Sequence, residues 1–563
     1  MFKKLVSLVL TASMTASLFA ALVFLSPSDG YTQVYAASVD GDDWLHTSGG
    51  KIVDSSGREV RLTGINWFGY NTGTNIFDGC WSINMASGLK AIADHGFNLL
   101  RIPISSELLL SWKSGQYPQA NFNSYTNPEL SGMNSLQILD YAVAKCREYG
   151  IKIMFDLHSL DSNGGGHMYE YWYNNTYSED RWIESLTWLA SHYNGNDTVI
   201  AIDLKNEPHG GTVWDGSNSQ NNWRRAATRA GNAVLDINPN LLIVIEGIET
   251  CNGQTAFWGG NLQGVRNYPI NFGSSDRNDQ IVYSPHDYGP LVYQQPWFHN
   301  GSFSYNTLYN EYWHNMFLYI REENIAPLLI GEWGGFMDGG PNEHWMNCEA
   351  QMINRYGLSH TFWCFNANSG DTGGLVGYDF TTWDEAKYAL VRPTLWQTSS
   401  GRFIGLDHQI PLGANGVTVT GSSAAVTVTT PMSNVTVATA EDRQYALDFI
   451  ERLYVNMLGR SSDPSGKNYW YGRLANHSVN GLTLADGFYF SNEFTAISAS
   501  MSNEAFVRRM YITILGREPD GVGLPYWTSK LDTGAMTREQ VYRGFLGSPE
   551  WRGRCDSNPL LRT

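Results

Sequence analysis

Between about residue 40 and residue 400 the chain repeats one pattern eight times, a short apolar, β-branched run followed by a stretch of helical periodicity. The runs are 61–68, 98–104, 152–158, 199–204, 241–246, 281–286, 327–332 and 361–367. Such alternation makes a parallel sheet covered by helices, because each strand needs a crossover to reach the next in the same direction. Eight units predict a (β/α)8 barrel. A doubly wound open sheet is the alternative, but no glycine-rich phosphate turn supports it. Several runs end in polar or aromatic groups: Arg101, Asp156 and His158, Asn206 and Glu207, His286 and Tyr288, Glu332, Trp363. The carboxyl ends of the strands build the site in such a barrel, so the motif positions agree with the fold.

The flanks read differently. After Lys3 and Lys4 the chain is apolar from Leu5 to Leu25 and reaches Ala36-Ala37, so residues 1–36 are expected to be a signal peptide, with an uncleaved membrane anchor as the alternative. Residues 40–400 form the barrel domain. The Thr/Val-rich segment 405–440 is expected to be a linker or a small β element. Residues 441–563 are expected to form a smaller, mainly helical domain. It carries an internal repeat at an offset of 57 residues: Gly459-Arg460 recurs as Gly516-Arg517, Asp463 as Asp520, Gly466 as Gly523, Tyr469-Trp470 as Tyr526-Trp527 and Glu493 as Glu550.

Only 16% of residues are charged and the net charge is −17, which excludes tracking along nucleic acid or an anionic membrane. A neutral partner fits better. The 20 Trp and 31 Tyr supply flat rings for stacking on sugars, or they fill a large core. The six cysteines form no Cys-x-x-Cys pair, and no His-Glu-x-x-His is present, so neither metal nor cofactor is expected. One or two disulfides are compatible with the spacing, which does not choose between them.

Two segments carry chemistry. Asp203-Leu-Lys-Asn206-Glu207-Pro208 ends one run in a carboxyl, and Leu328-Leu-Ile-Gly331-Glu332-Trp333 ends another. Two carboxyls converging from different strands are what glycosidic cleavage needs, one to protonate the leaving oxygen and one to attack the anomeric carbon or activate water.

With these motifs, Gly64-Ile-Asn-Trp67-Phe-Gly69, Arg101-Ile-Pro103, Asp156-Leu-His158, Trp258-Gly-Gly-Asn261, His286-Asp-Tyr288 and Ser369-Gly-Asp-Thr-Gly-Gly374 extend over the domain. Residues 40–400 thereby resemble glycoside hydrolase family 5, in its endo-β-1,4-glucanase branch. The resemblance implies a retaining enzyme acting on cellulose or mixed-linkage β-glucan, with Glu207 as acid/base and Glu332 as nucleophile. Glu207 is then expected to carry the proton, with a raised pKa, while Glu332 is charged. Asn206 is suited to the sugar 2-hydroxyl, Arg101 and Tyr288 to orienting Glu332, His158 and His286 to sugar hydroxyls or the carboxyls, and Trp363 to a floor under the pyranose. Trp67 and Trp258 are either outer platforms or core residues. Ser159 and Leu160 depart from that branch, which puts the outer subsites in doubt.

A β-mannanase or xyloglucanase with the same catalytic pair stays open, as does a non-catalytic glycan-binding surface protein, against which both glutamates argue. The C-terminal repeat resembles a bacterial domain of unknown function (DUF4214-like) often appended to secreted or surface proteins. With the signal segment, the chain is expected to be an extracellular monomer, whose repeats either contact the cell surface or only pack a core.

Overall fold

The structure is a computed structural model that describes residues 41–420, 440–475, 479–558 and 560–562. The expected signal peptide and residues 421–439 lie outside them. Eight strands form one parallel sheet: β1 (Thr63–Asn66), β2 (Leu99–Ser105), β3 (Lys152–Ser159), β4 (Val199–Asp203), β5 (Leu242–Glu246), β6 (Ile281–Ser284), β7 (Leu329–Trp333) and β8 (Ser359–Phe362). Ladders run from β6 through β5 to β1 and on to β8 and β7, and parallel bridges Tyr283–Leu328 and His286–Glu332 join the two ends. The barrel is closed, as its eightfold sequence pattern requires. The last expected strand, 361–367, ends early at Phe362 and continues as a loop over the mouth.

Helices α1 (Met85–Asp94), α2 (Ser135–Glu148), α3 (Glu179–His192), α4 (Trp223–Leu235) and α5 (Pro341–Tyr356) cover the outside, with a helical stretch 305–322 between β6 and β7. Their starts are legible in the chain. Asn134 and Gln137 form a capping box on α2, and Ser178 caps α3, each satisfying amide donors that the first turn leaves free. Strand side chains alternate. Ile153, Phe155 and Leu157 of β3 face the helical layer, whereas Met154 joins a separate apolar cluster inside the barrel.

The floor differs from the expected boundary. Leu45, Ile52 and Val60 of an amino-terminal antiparallel sheet pack with Ile404, Leu406 and Val419 in the interior cluster. Lys152 pairs with Asp43 and, at 3.1 Å, with Asp407. Residues 405–420 therefore belong to the barrel domain rather than to a linker, because they bury its amino-terminal end. All six cysteines are buried, and no disulfide joins them.

The carboxy-terminal segment is helical from Ala440 and has its own core. Its repeat signature is structural. Arg460 pairs with Glu493 at 2.7 Å and Arg517 with Glu550 at 3.0 Å. Asp463 accepts the Gly466 amide at 2.8 Å, as Asp520 accepts that of Gly523 at 2.6 Å. The Trp470 and Trp527 rings lie so close to Gly487 and Gly544 that a Cβ there would stand 2.6 and 2.8 Å away. Tyr469 and Tyr526, at equivalent positions of the two copies, are exposed.

Candidate active site

Inward positions at the carboxyl ends of the strands converge on one buried guanidinium. Arg101 of β2 is fully enclosed and lies 2.7 Å from Glu332, 2.9 Å from Asp203 and 3.2 Å from both Asp156 and Glu246. It also donates to Asn206 Oδ1 at 3.1 Å and Asn66 Oδ1 at 3.0 Å. Four carboxylates on four strands thus share one planar donor, a geometry that guanidinium suits and ammonium does not.

Glu332 faces the cleft through an irregularity. The β7–β8 register shifts between Ile330 and Trp333. The strand's period of two would otherwise send Glu332 to the helices, where Trp333 instead packs against Phe362. Gly331 is required beside it, since a Cβ there would fall 2.5 Å from Ser284 Oγ and 2.8 Å from His286 Nε2. Tyr288 donates to Glu332 Oε2 at 2.6 Å.

Glu207 stands across the cleft in left-handed backbone, φ 52°, an uncommon state for a residue with a side chain. His286 Nδ1 lies 3.0 Å from Glu207 Oε1 and 3.5 Å from Glu332 Oε2. One oxygen of Glu207 and one of Glu332 are within 4.8 Å of each other.

The electrostatics follow from burial and pairing. Burial works against a charged His286, but Glu246, Glu332 and Glu207 around it raise its pKa well above the ordinary 6.5. Burial pushes Asp156 and Glu246 up to about 7 and Asp203 to about 6, with Arg101 opposing in each case. Glu207 and Glu332 titrate as a pair. Burial raises both. The hydrogen bond and charge of His286 bring Glu207 below its ordinary value, and the neighbouring Glu207 charge helps keep Glu332 above it. The lowered Glu207 differs from the raised value expected for an acid, because His286 Nδ1 lies 3.0 Å from its carboxyl. A second buried pair, Asp287 and Glu349, stands behind the loop. Burial raises Asp287 to about 7 and Glu349 well above the carboxylate range, while Trp313 donates to Asp287 at 2.7 Å.

The remaining expected residues separate into two groups. His158 stacks on Trp363 with centroids 5.5 Å apart, and its Nδ1 lies 2.6 Å from Asp156. Burial lowers it to about 3, so the ring is neutral. Trp363 is half-buried and donates to Ser369 Oγ at 3.1 Å. Trp258 is half-buried too and stacks on His209 at 3.8 Å, leaving it suited to a platform. Trp67 is not. It is fully enclosed, stacked on Phe77 at 4.4 Å with its indole bonded to the Asp78 carbonyl, so it is a core residue with no face for a sugar.

Sequence reasoning missed Asp203 and Glu246 as site members, along with His209, whose Nδ1 lies 2.7 Å from the Glu207 carbonyl. The signal for Glu246 was present, since 242–246 is an apolar run ending in Glu like 328–332. Clusters such as Asp203, Glu246 and His286 have metal-ligand spacing, but the Arg101 guanidinium already neutralises two of these three residues.

Residues 53–369 match the family model described as Cellulase (glycosyl hydrolase family 5). The chain belongs to glycosyl hydrolase family 5. Among family members, Endoglucanase G of Acetivibrio thermocellus is 48% identical over 439 residues, 68% of this chain and 77% of that protein. An endoglucanase of Paenibacillus polymyxa is 42% identical over 363 residues, 64% of this chain and 88% of its own. The solved hyperthermophilic endocellulase of Pyrococcus horikoshii superposes with a TM-score of 0.57 at 32% identity, covering 62% of this chain and 98% of that one. Outside the family 5 domain, residues 438–497 and 485–555 each match a domain of unknown function, DUF4214.

Proposed function

We propose that Glu207 is the acid/base and Glu332 the nucleophile of a retaining enzyme that cuts internal β-1,4-glucosidic bonds. The observation that carries this reading is that the two carboxyls meet at His286 Nδ1, 3.0 Å from Glu207 Oε1 and 3.5 Å from Glu332 Oε2, with one oxygen of each within 4.8 Å of the other. Retaining pairs stand about 5–5.5 Å apart, whereas inverting pairs keep about 6.5–9.5 Å open for a water. The chain is an endo-β-1,4-glucanase, in keeping with relatives named endoglucanase at 48%, 42% and 40% identity.

In the first step Glu332 attacks the anomeric carbon as Glu207 protonates the departing oxygen. Arg101 and Tyr288 aim the attacking carboxylate and favour its ionised form against burial, and the step requires the proton on Glu207. In the second step Glu207 takes a proton from water, which attacks the same carbon and releases Glu332. Asn206 is placed for the sugar 2-hydroxyl and Trp363 for the ring face. Trp258, tied through His209 to Glu207, suits the leaving-group side.

Product analysis tests the substrate. Carboxymethylcellulose and mixed-linkage β-glucan should yield a ladder of oligosaccharides from early time points, with slower release from galactomannan and xyloglucan. Preferred cleavage of either of the latter would reassign the polymer.

We further propose that residues 1–36 direct export, as for the relative named major extracellular endoglucanase of Xanthomonas campestris. Among the described residues no helix is long and apolar enough to cross a membrane. The monomer is proposed to use its repeats, with Tyr469 and Tyr526 exposed, to contact the cell surface or wall. A chain ending near residue 430 should hydrolyse soluble glucan at an unchanged rate and lose retention on isolated cell walls.

A further inference from the structure

Glu246 ends β5 and is completely buried, yet nothing in the double displacement assigns it a task. Its two oxygens divide between two parts of Glu207. Oε2 accepts the Glu207 backbone amide at 2.8 Å, at the residue whose φ of 52° is left-handed. Oε1 lies 3.1 Å from His286 Nε2, and the other nitrogen of that ring reaches the Glu207 carboxyl at 3.0 Å. Room for this carboxylate depends on Gly259, where a Cβ would fall 2.3 Å from Glu246 Oε2 and 3.4 Å from Glu207 Cα. A single buried carboxylate therefore meets the acid/base at both ends, by a hydrogen bond from its main chain and, towards its side chain, by charge pairing with an imidazole whose Nε2 makes no hydrogen bond.

We propose that Glu246 is a positioning residue for the general acid, holding Glu207 in its left-handed conformation and holding His286 in the orientation that presents Nδ1 to the Glu207 carboxyl. The inference rests on the reading of Glu207 as acid/base. Its physical basis is that a non-glycine left-handed residue persists only where its surroundings over-determine it. A histidine nitrogen, likewise, is oriented by what its other nitrogen meets. The charged groups facing Glu246 and His286 are Arg101 from β2, Asp156 from β3, Asp203, Lys205 and Glu207 on and after β4, and Glu332 from β7. Replacing Glu246 by an amide leaves all of these in place. It removes the negative charge that faces His286, which is also one of the four around Arg101 at 3.2 Å, so the dinitrophenyl rate, which depends on Glu332 and Arg101 but not on the acid, serves as the control.

The test compares kcat/KM for aryl β-cellobiosides whose leaving groups run from 2,4-dinitrophenol, which departs without a proton, to phenol, which needs one. Glu207→Ala is the reference and should lose far more on the phenyl than on the dinitrophenyl substrate. Glu246→Gln should show the same asymmetry in smaller measure, with a loss of roughly tenfold to a hundredfold on the phenyl substrate, a fraction of what general acid catalysis supplies. KM and the dinitrophenyl rate should change little. Glu246→Asp, which keeps the charge but shortens the reach, should fall in the same direction and decides the matter if the amide variant does not fold. Equal loss on every leaving group, or no loss, overturns the proposal and leaves Glu246 a structural residue. If Glu207→Ala itself shows no asymmetry, it is the acid/base reading that fails.

Discussion

Glu332→Gln should leave a folded barrel whose turnover on soluble β-glucan is lower by on the order of 10⁴-fold or more, the scale of losing a covalent nucleophile. Folding survives because an amide of the same shape can still meet Arg101 and Tyr288, which lie 2.7 and 2.6 Å from its oxygens. Stability should be equal or slightly higher, since the carboxyl removed is one whose ionisation burial opposes. The product of rescue identifies the role. Azide supplied to Glu332→Ala attacks from the side of the missing carboxylate and should give the α-glycosyl azide, whereas azide supplied to Glu207→Ala should give the β-anomer. A 2-fluoro glycoside should label the Glu332 peptide in the unmodified enzyme. A label on the Glu207 peptide, or the reverse pair of anomers, would exchange the two assignments.

Arg101→Met should cost about 3–5 kcal/mol, the range for removing one partner from a buried ionic cluster, and abolish activity. The cost should depend on pH in a defined direction. Asp156, Asp203 and Glu246 have folded pKa values of about 7, 6 and 7, all above their values near 4 in an unfolded chain. Groups raised in this way contribute most below the unfolded pKa, and their contribution is lost as pH climbs through the folded one. Asp287 at about 7 and the still higher Glu349 act in the same sense. The unmodified protein should therefore be more stable to urea at pH 5 than at pH 8. Without the guanidinium these carboxyls rise further, so the deficit of Arg101→Met should be smaller at pH 5 than at pH 8. An equal deficit at both would mean that Arg101 acts through packing alone.

The fold was largely legible. Eight apolar runs gave eight strands, most shifted by no more than two residues, because the barrel imposes its period locally through strand, cap and crossover. Asn206, Glu207, His286, Tyr288 and Glu332 sit at or just past run ends and were readable for that reason, whereas Arg101 lies inside its run, third of seven residues in β2. Trp67 was ambiguous and proved to be core, since exposure of a ring is set by neighbours such as Phe77 that are near in space but unannounced in sequence. Residues 405–420, within the segment 405–440, read as a linker or a small β element because their Thr/Val alternation has no visible partner in the chain. The partner is the barrel floor, built partly from Leu45 and Ile52 far upstream.

The sequence by itself determined the barrel, its two strand-end glutamates and the duplicated helical module, all of which follow from periodicity and repetition along the chain. Only the tertiary structure decided how the glutamates are aimed and charged. The register shift in β7 turns Glu332 into the cleft, and the left-handed turn at Glu207 brings its carboxyl within reach of His286. Arg101, Glu246 and His286 come from segments distant in sequence, and their charges, with burial, hold Glu207 below and Glu332 above the ordinary carboxylate value. Hydrogen bonds and charges act across a few ångströms of space, and no local pattern in the chain records which strand ends will share them.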